Sequence, residues 1–142
     1  MKKNLYMEKI GERAKIASLN LSNTDINKRN LVLKEFNKYL KKNSKLILNS
    51  NKKDLLKAKL NKKKSSMIDR LKLDNKKIEG IQSSIKEIIK FKDPLGKTLS
   101  SWKRPNGLIV KRVSIPIGVI GVIYESRPNV TSDVSALCFK TG

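Results

Sequence analysis

Ten residues near the end of the sequence, Ile115-Pro-Ile-Gly-Val-Ile-Gly-Val-Ile-Tyr124, constrain the fold more than any others. The β-branched run Val119–Ile123 lacks polar alternation, the pattern of a strand buried on both faces of a parallel sheet. Such a strand needs neighbours on both sides, and a strand–helix unit needs a second strand to pack on. The sequence supplies only one more element, a helix over Val130–Lys140 with Val134, Leu137 and Cys138 inward, then a Thr141-Gly142 stop. The amides and carbonyls of 119–123 would have few partners. This order reads as the opening of a doubly wound domain, hence a fragment, and poor folding is expected of it.

Upstream the period is helical. Residues 5–21 read as a helix with Ile10, Ala14, Ala17 and Leu21 on one face. Thr24 is expected to cap a second helix striped by Leu33, Phe36 and Leu40, and Ser44 a third, to about Lys62, with Ile47, Leu48, Leu55 and Ala58 inward. Ser65 or Ser66 opens a short turn holding Met67, Ile68 and Leu71. Asp74 caps a fifth helix with the cleanest stripe, Ile78, Ile81, Ile85 and Ile88, ended by Asp93-Pro94 and the Leu95-Gly96 turn. Thr98–Trp102 and Leu108–Ser114 then read as strands joined by a turn at Arg104-Pro-Asn-Gly107, with Asn-Gly a strong hairpin signal. The expected class is α/β: a helical segment (1–93), a β-hairpin (94–114) and the incomplete start of a nucleotide-binding α/β domain (115–142).

Charge needs its own explanation. The formal net charge is +21, from 33 basic residues of which 27 are Lys and 6 Arg. Bidentate recognition of bases and phosphates favours Arg, and the seven aromatics do not interleave with the basic runs as a stacking platform would. Lys, Asn and Ile are abundant together, as A/T-rich codons supply, so a solvated Lys-rich surface accounts for the charge. Only weak, salt-sensitive nucleic-acid binding of about 10⁻⁴–10⁻⁶ M is expected, and no specific nucleic-acid partner. The absence of His excludes a Ser-His-Asp triad, a His base and a His metal site within these residues. The single Cys excludes a disulfide framework and a Cys-based zinc site, and no metal site is expected. No apolar run reaches membrane-spanning length and the first residues lack a secretory apolar stretch, so a cytoplasmic, non-membrane protein is expected.

Chemistry concentrates at Tyr124-Glu125-Ser126-Arg127-Pro128-Asn129, directly after the apolar run, where open α/β sheets bind ligands. Asn129 can donate its amide to a developing oxyanion, or cap the following helix. Arg127 can hold an anionic group in its fork, or pair with Glu125. Cys138 reads as a small buried apolar residue. Gly118-x-x-Gly121 lacks the spacing of a phosphate cradle and reads as a place of close approach by a strand or ligand.

The stretch Val113–Gly142 resembles the gamma-glutamyl phosphate reductase (glutamate-5-semialdehyde dehydrogenase) family of the aldehyde dehydrogenase superfamily. It follows that family's P-L-G-V-I-G-V-I-Y-E-A-R-P-N-V-T signature with Ile117 for Leu and Ser126 for Ala. Ala14-Lys15, Ile47-Leu48-Asn49 with Asn51 and Asp54, Met67-x-Asp69-Arg70-Leu71 and Asp93-Pro94-Leu95-Gly96 extend the likeness back to Met7, so residues 1–6 read as an extension or a misassigned start. The resemblance covers the family's first third. It implies an aldehyde-dehydrogenase-like fold and NADPH-dependent reduction of L-glutamate 5-phosphate to the 5-semialdehyde, with phosphate released, in proline biosynthesis. A family Cys attacks the acyl phosphate to form a thioester that NADPH reduces. That Cys lies beyond these residues, and Cys138 matches a non-nucleophilic position. Asn129 would be the oxyanion-hole amide, and Tyr124, Glu125, Ser126 and Arg127 would line the substrate and nicotinamide end. Three readings follow: an inactive N-terminal fragment of the reductase, a subunit completed by a C-terminal piece or by copies of itself, or a basic nucleic-acid-binding protein.

Overall fold

Asp74 starts the best-formed helix: its carboxylate accepts from the Lys77 amide at 2.8 Å. In the computed structural model, which describes residues 5–142, that helix is α5 (Asn75–Lys90), and Ile78, Ile81, Ile85 and Ile88 are all buried. Their spacing puts a wall of isoleucine side chains on one helix face, as the sequence predicts. The residues expected as an extension at 1–6 fall partly outside those described.

Four helices precede α5. They are α1 (Leu5–Ser22), α2 (Ile26–Lys42), α3 (Ser44–Leu60) and α4 (Ser65–Leu71). Strands β1 (Thr98–Lys103) and β2 (Ile109–Val113) and a last helix α6 (Pro128–Lys140) follow. Leu33 of α2 and Ala136 of α6 close against the isoleucine wall, flanked by Phe36, Leu40, Leu73, Ile89 and Phe139. The strands pair antiparallel, Trp102 opposite Val110 and Lys103 opposite Ile109, around a turn in which Gly107 takes φ +86°. No helix among the described residues is long and apolar enough to cross a membrane.

Several expectations need correction. Asp25, not Thr24, caps α2, because its carboxylate accepts from the Asn27 and Lys28 amides while the Thr24 hydroxyl donates back to the Asn20 carbonyl. Asn43, not Ser44, holds the cap position of α3, and its amide donates to the Tyr39 carbonyl instead of capping. Helix α1 buries no residue, and Ile10 and Ala17 are exposed, because nothing described packs on that face. Helix α6 begins at Pro128, two residues before the expected Val130, since Pro is tolerated where the helix amides have no partner. The inward face of α6 is Ser132, Ala136 and Lys140, and Leu137 is exposed.

The largest departure is the run expected as a strand. Val119–Ile123 makes no ladder among the described residues, and every one of its apolar side chains is exposed. Gly118 and Gly121 meet nothing within 4 Å, so the close approach expected there is absent among the described residues. A strand is defined by its neighbours, and this run has none. The chain exposes 11,414 Å², while a compact chain of its mass would expose about 7,400 Å².

Candidate functional site

Ser126 sits at φ +58°, a left-handed conformation that turns the chain sharply from the apolar run into α6. Arg127 then occupies the cap position without a side-chain cap bond, and Pro128 takes the first helical position. The Tyr124 hydroxyl lies 2.6 Å from the Thr131 hydroxyl, tying the turn to the helix. Asn129 therefore stands in the first turn of α6, where backbone amides and the helix dipole favour negative charge.

Asn129 does not cap the helix. Its Nδ2 donates to Asp133 Oδ2 at 3.2 Å, and the second N–H has no partner among the described residues. Its carbonyl accepts from the Ser132 hydroxyl at 2.8 Å. Arg127 and Glu125 form no ion pair among the described residues. Both bland alternatives weighed from the sequence thus fall away, and the amide and the guanidinium are left available. Tyr124, Glu125 and Ser126 precede the helix, with Tyr124 and Glu125 exposed and Ser126 half-buried.

Arg127, Pro128, Asn129 and Asp133 form one wall of a pocket of about 430 Å³. Arg70 and Lys72 at the end of α4, and Lys77, Gly80, Ile81 and Ser84 on α5, form the other. Four cations and one carboxylate line it, and such a field draws anions. Sequence reasoning found Arg127 and Asn129 but missed Lys77 and Asp133. Arg70 stood only inside the Asp-Arg-Leu piece of the family likeness, with no role. Cys138 lies in a separate cleft with Leu95, Ser114, Pro116 and Gly142. It is half-buried, and no His exists to activate it. No group of metal-ligating side chains occurs among the described residues.

Comparison with known proteins fixes the relationship. No protein-family model matches the chain. The gamma-glutamyl phosphate reductase of a Nitratiruptor species is 47% identical over 136 residues, 96% of this chain and 33% of that protein. The chain is similar to the N-terminal third of this gamma-glutamyl phosphate reductase. The gamma-glutamyl phosphate reductase of a Thermoanaerobacter species is 45% identical over 138 residues, 97% of this chain and 33% of that one. The crystal structure of the Thermotoga maritima gamma-glutamyl phosphate reductase superposes with a TM-score of 0.88 at 38% identity, over 92% of this chain and 31% of that one. The Saccharomyces cerevisiae gamma-glutamyl phosphate reductase gives 0.88 at 33%, over 94% and 34%. The mostly helical chain with its two-strand antiparallel hairpin is thus consistent with an N-terminal part of the gamma-glutamyl phosphate reductase fold. The chain spans about a third of the length of these gamma-glutamyl phosphate reductases.

Proposed function

We propose that this chain supplies the oxyanion amide and one side of the substrate pocket of a gamma-glutamyl phosphate reductase, and that the 142 residues alone do not turn over. The reaction of the complete enzyme is NADPH-dependent reduction of L-glutamate 5-phosphate to L-glutamate 5-semialdehyde, releasing phosphate, in the cytoplasmic synthesis of proline. The observation that carries this reading is the free N–H of Asn129 in the first turn of a helix, beside a pocket lined by Arg70, Lys72, Lys77 and Arg127. When a thiolate adds to an acyl phosphate, negative charge collects on the carbonyl oxygen, and a fixed amide at a helix start stabilises it. The guanidinium groups would hold the phosphate or the carboxylate of the substrate.

The residues described here form no nicotinamide cradle of their own. The apolar run has no ladder, and Gly118 and Gly121 face open space away from any strand-to-helix turn. No step is therefore assigned to the cofactor on this chain; Arg127 lines the pocket, whereas Tyr124, Glu125 and Ser126 stand outside it and are proposed to face the substrate side only in the completed enzyme. Completion by a C-terminal piece supplies the thiol and the cofactor site.

The test is an assay of the purified chain in the reverse direction, with NADP⁺, phosphate and glutamate 5-semialdehyde. The expected rate equals the protein-free blank. Mixing with a separately produced C-terminal two-thirds of the Nitratiruptor enzyme is expected to give turnover. Asn129→Ala should then lower kcat by about 10²–10³-fold. Turnover by the chain alone, or an unchanged kcat for Asn129→Ala in the active mixture, refutes the reading.

A further inference from the structure

The charges in the pocket do not pair with one another. Arg70, Lys72 and Arg127 make no ion pair and no side-chain hydrogen bond among the described residues, and the Lys77 ammonium donates only to the Asp69 and Lys72 carbonyls. Asp133, one turn into α6, accepts a single bond, from the neutral amide of Asn129 at 3.2 Å. Its other oxygen, Oδ1, is buried without a partner. A carboxylate can accept about four hydrogen bonds, so this one is far from satisfied. In a structural ion-pair cluster, one of four neighbouring cations would have closed on it. Here opposite charges instead line one open pocket of about 430 Å³. That arrangement fits a ligand that itself carries both signs.

We propose that Asp133 is the ammonium-recognition residue of this pocket, taking the α-ammonium of an amino-acid ligand whose anionic end lies against Arg70, Lys77 and Arg127. The inference rests on the reading above that the pocket takes a glutamyl substrate, and adds what would select the amino acid from its deaminated analogue. The Asn129 amide, bonded to the same carboxylate, then keeps its second N–H for the reacting carbonyl, so recognition of the ammonium and placement of the oxyanion donor are set by one side chain.

The experiment is an NMR titration of the ¹⁵N-labelled chain with L-glutamate, with glutarate, which has the same two carboxylates and no amine, and with inorganic phosphate. L-Glutamate is expected to shift the amides of residues 129–134 with a Kd about fivefold below that of glutarate, the size of one accessible charge pair. Asp133→Asn, which keeps an acceptor for Asn129, should abolish that gap. Equal constants for the two ligands, or a gap that survives Asp133→Asn, overturn the inference. Shifts from phosphate with no preference for L-glutamate over glutarate also overturn it, by making the pocket a plain anion site. So does the absence of shifts with every ligand. In each of these cases turnover by the mixed chains still stands or falls separately, which distinguishes failure here from failure of the reductase reading.

Discussion

Arg29 joins three helices at one point, and removing it tests the energetics of the fold directly. Its guanidinium is buried near the start of α2 and donates three ways: to the Thr24 carbonyl at 3.1 Å, to the Lys140 carbonyl of α6 at 2.5 Å, and to Asp93, just past α5, at 2.6 Å. Arg29→Met keeps the apolar stem and removes every donor. Each lost bond to a carbonyl is worth about 1 kcal/mol, and the charge-assisted bond to Asp93 about 1.5–3 kcal/mol. Two effects offset part of this. The Asp93 side chain is 25% exposed and regains water, and the Lys140 ammonium loses the repulsion of Arg29. The net loss is about 3 kcal/mol, the low end for breaking a buried pair. Urea unfolding followed by helical circular dichroism, with m of about 1.5 kcal/mol/M, should place the midpoint about 2 M lower. Arg29→Lys, with a point charge instead of a fork, should fall between. Asp93→Asn should be as damaging as Arg29→Met, because it leaves two buried cations without a counter-charge. A loss under about 1 kcal/mol for Arg29→Met, or strict additivity of Arg29→Met and Asp93→Asn in the double variant, refutes the reasoning.

Three further outcomes are expected. Burial lowers the Lys140 pKa from its usual 10.5, with Asp93 opposing and Arg29 adding to the shift. Folding thus disfavours the charged amine relative to the unfolded chain, so stability should rise with pH between that lowered value and 10.5, and Lys140→Met should remove this rise from a pH series of urea midpoints. Ile85→Ala, at a fully buried position, should cost about 3 kcal/mol in the same assay, whereas Ile10→Ala should change it by less than about 0.5 kcal/mol. Asn51→Leu should cost about 2 kcal/mol, because the Asn51 amide bonds both the Leu71 carbonyl and the Leu73 amide at 2.8 Å and both would be stranded; protection of the Leu73 amide in hydrogen exchange checks it.

What the sequence made legible is whatever depends on neighbours three or four residues apart. The α5 stripe and its Asp74 cap are local facts, and the hairpin follows from Asn106-Gly107. Cap positions slipped by one residue at α2 because Thr24 and Asp25 are both competent caps, and only the backbone decides which one faces free amides. Arg29 and Lys140 were illegible for a different reason. A Lys in the last turn of a helix ordinarily reads as solvated, and its partners Asn30 and Ile89 lie 110 and 51 residues away. The site divides the same way. Tyr124–Asn129 announces itself as a contiguous motif, but Arg70, Lys77 and Asp133 meet only after α5 packs on α6. The apolar run 119–123 is the converse: its pattern is plain, and its ladder is absent because pairing is a property of two segments, not one.

The buried node and the site are connected through α6. That helix is 13 residues long, about 20 Å at 1.5 Å per residue. Its far end is held by Lys140, whose ammonium donates to Asn30 at 2.6 Å and to the Ile89 carbonyl at 2.9 Å, and whose own carbonyl accepts from Arg29. Ala136 and Ser132 bury the next two turns against the core, and the helix delivers Asn129 and Asp133 to the pocket at its other end. A rigid helix turns a small tilt at one end into a displacement at the other, and an oxyanion donor tolerates little displacement. Helix α1, which buries nothing, has no such lever on the site. The unusual burial of two cations around one carboxylate is therefore best understood as what aims the first turn of α6, with the polar network, not the modest apolar core, setting where the site residues stand.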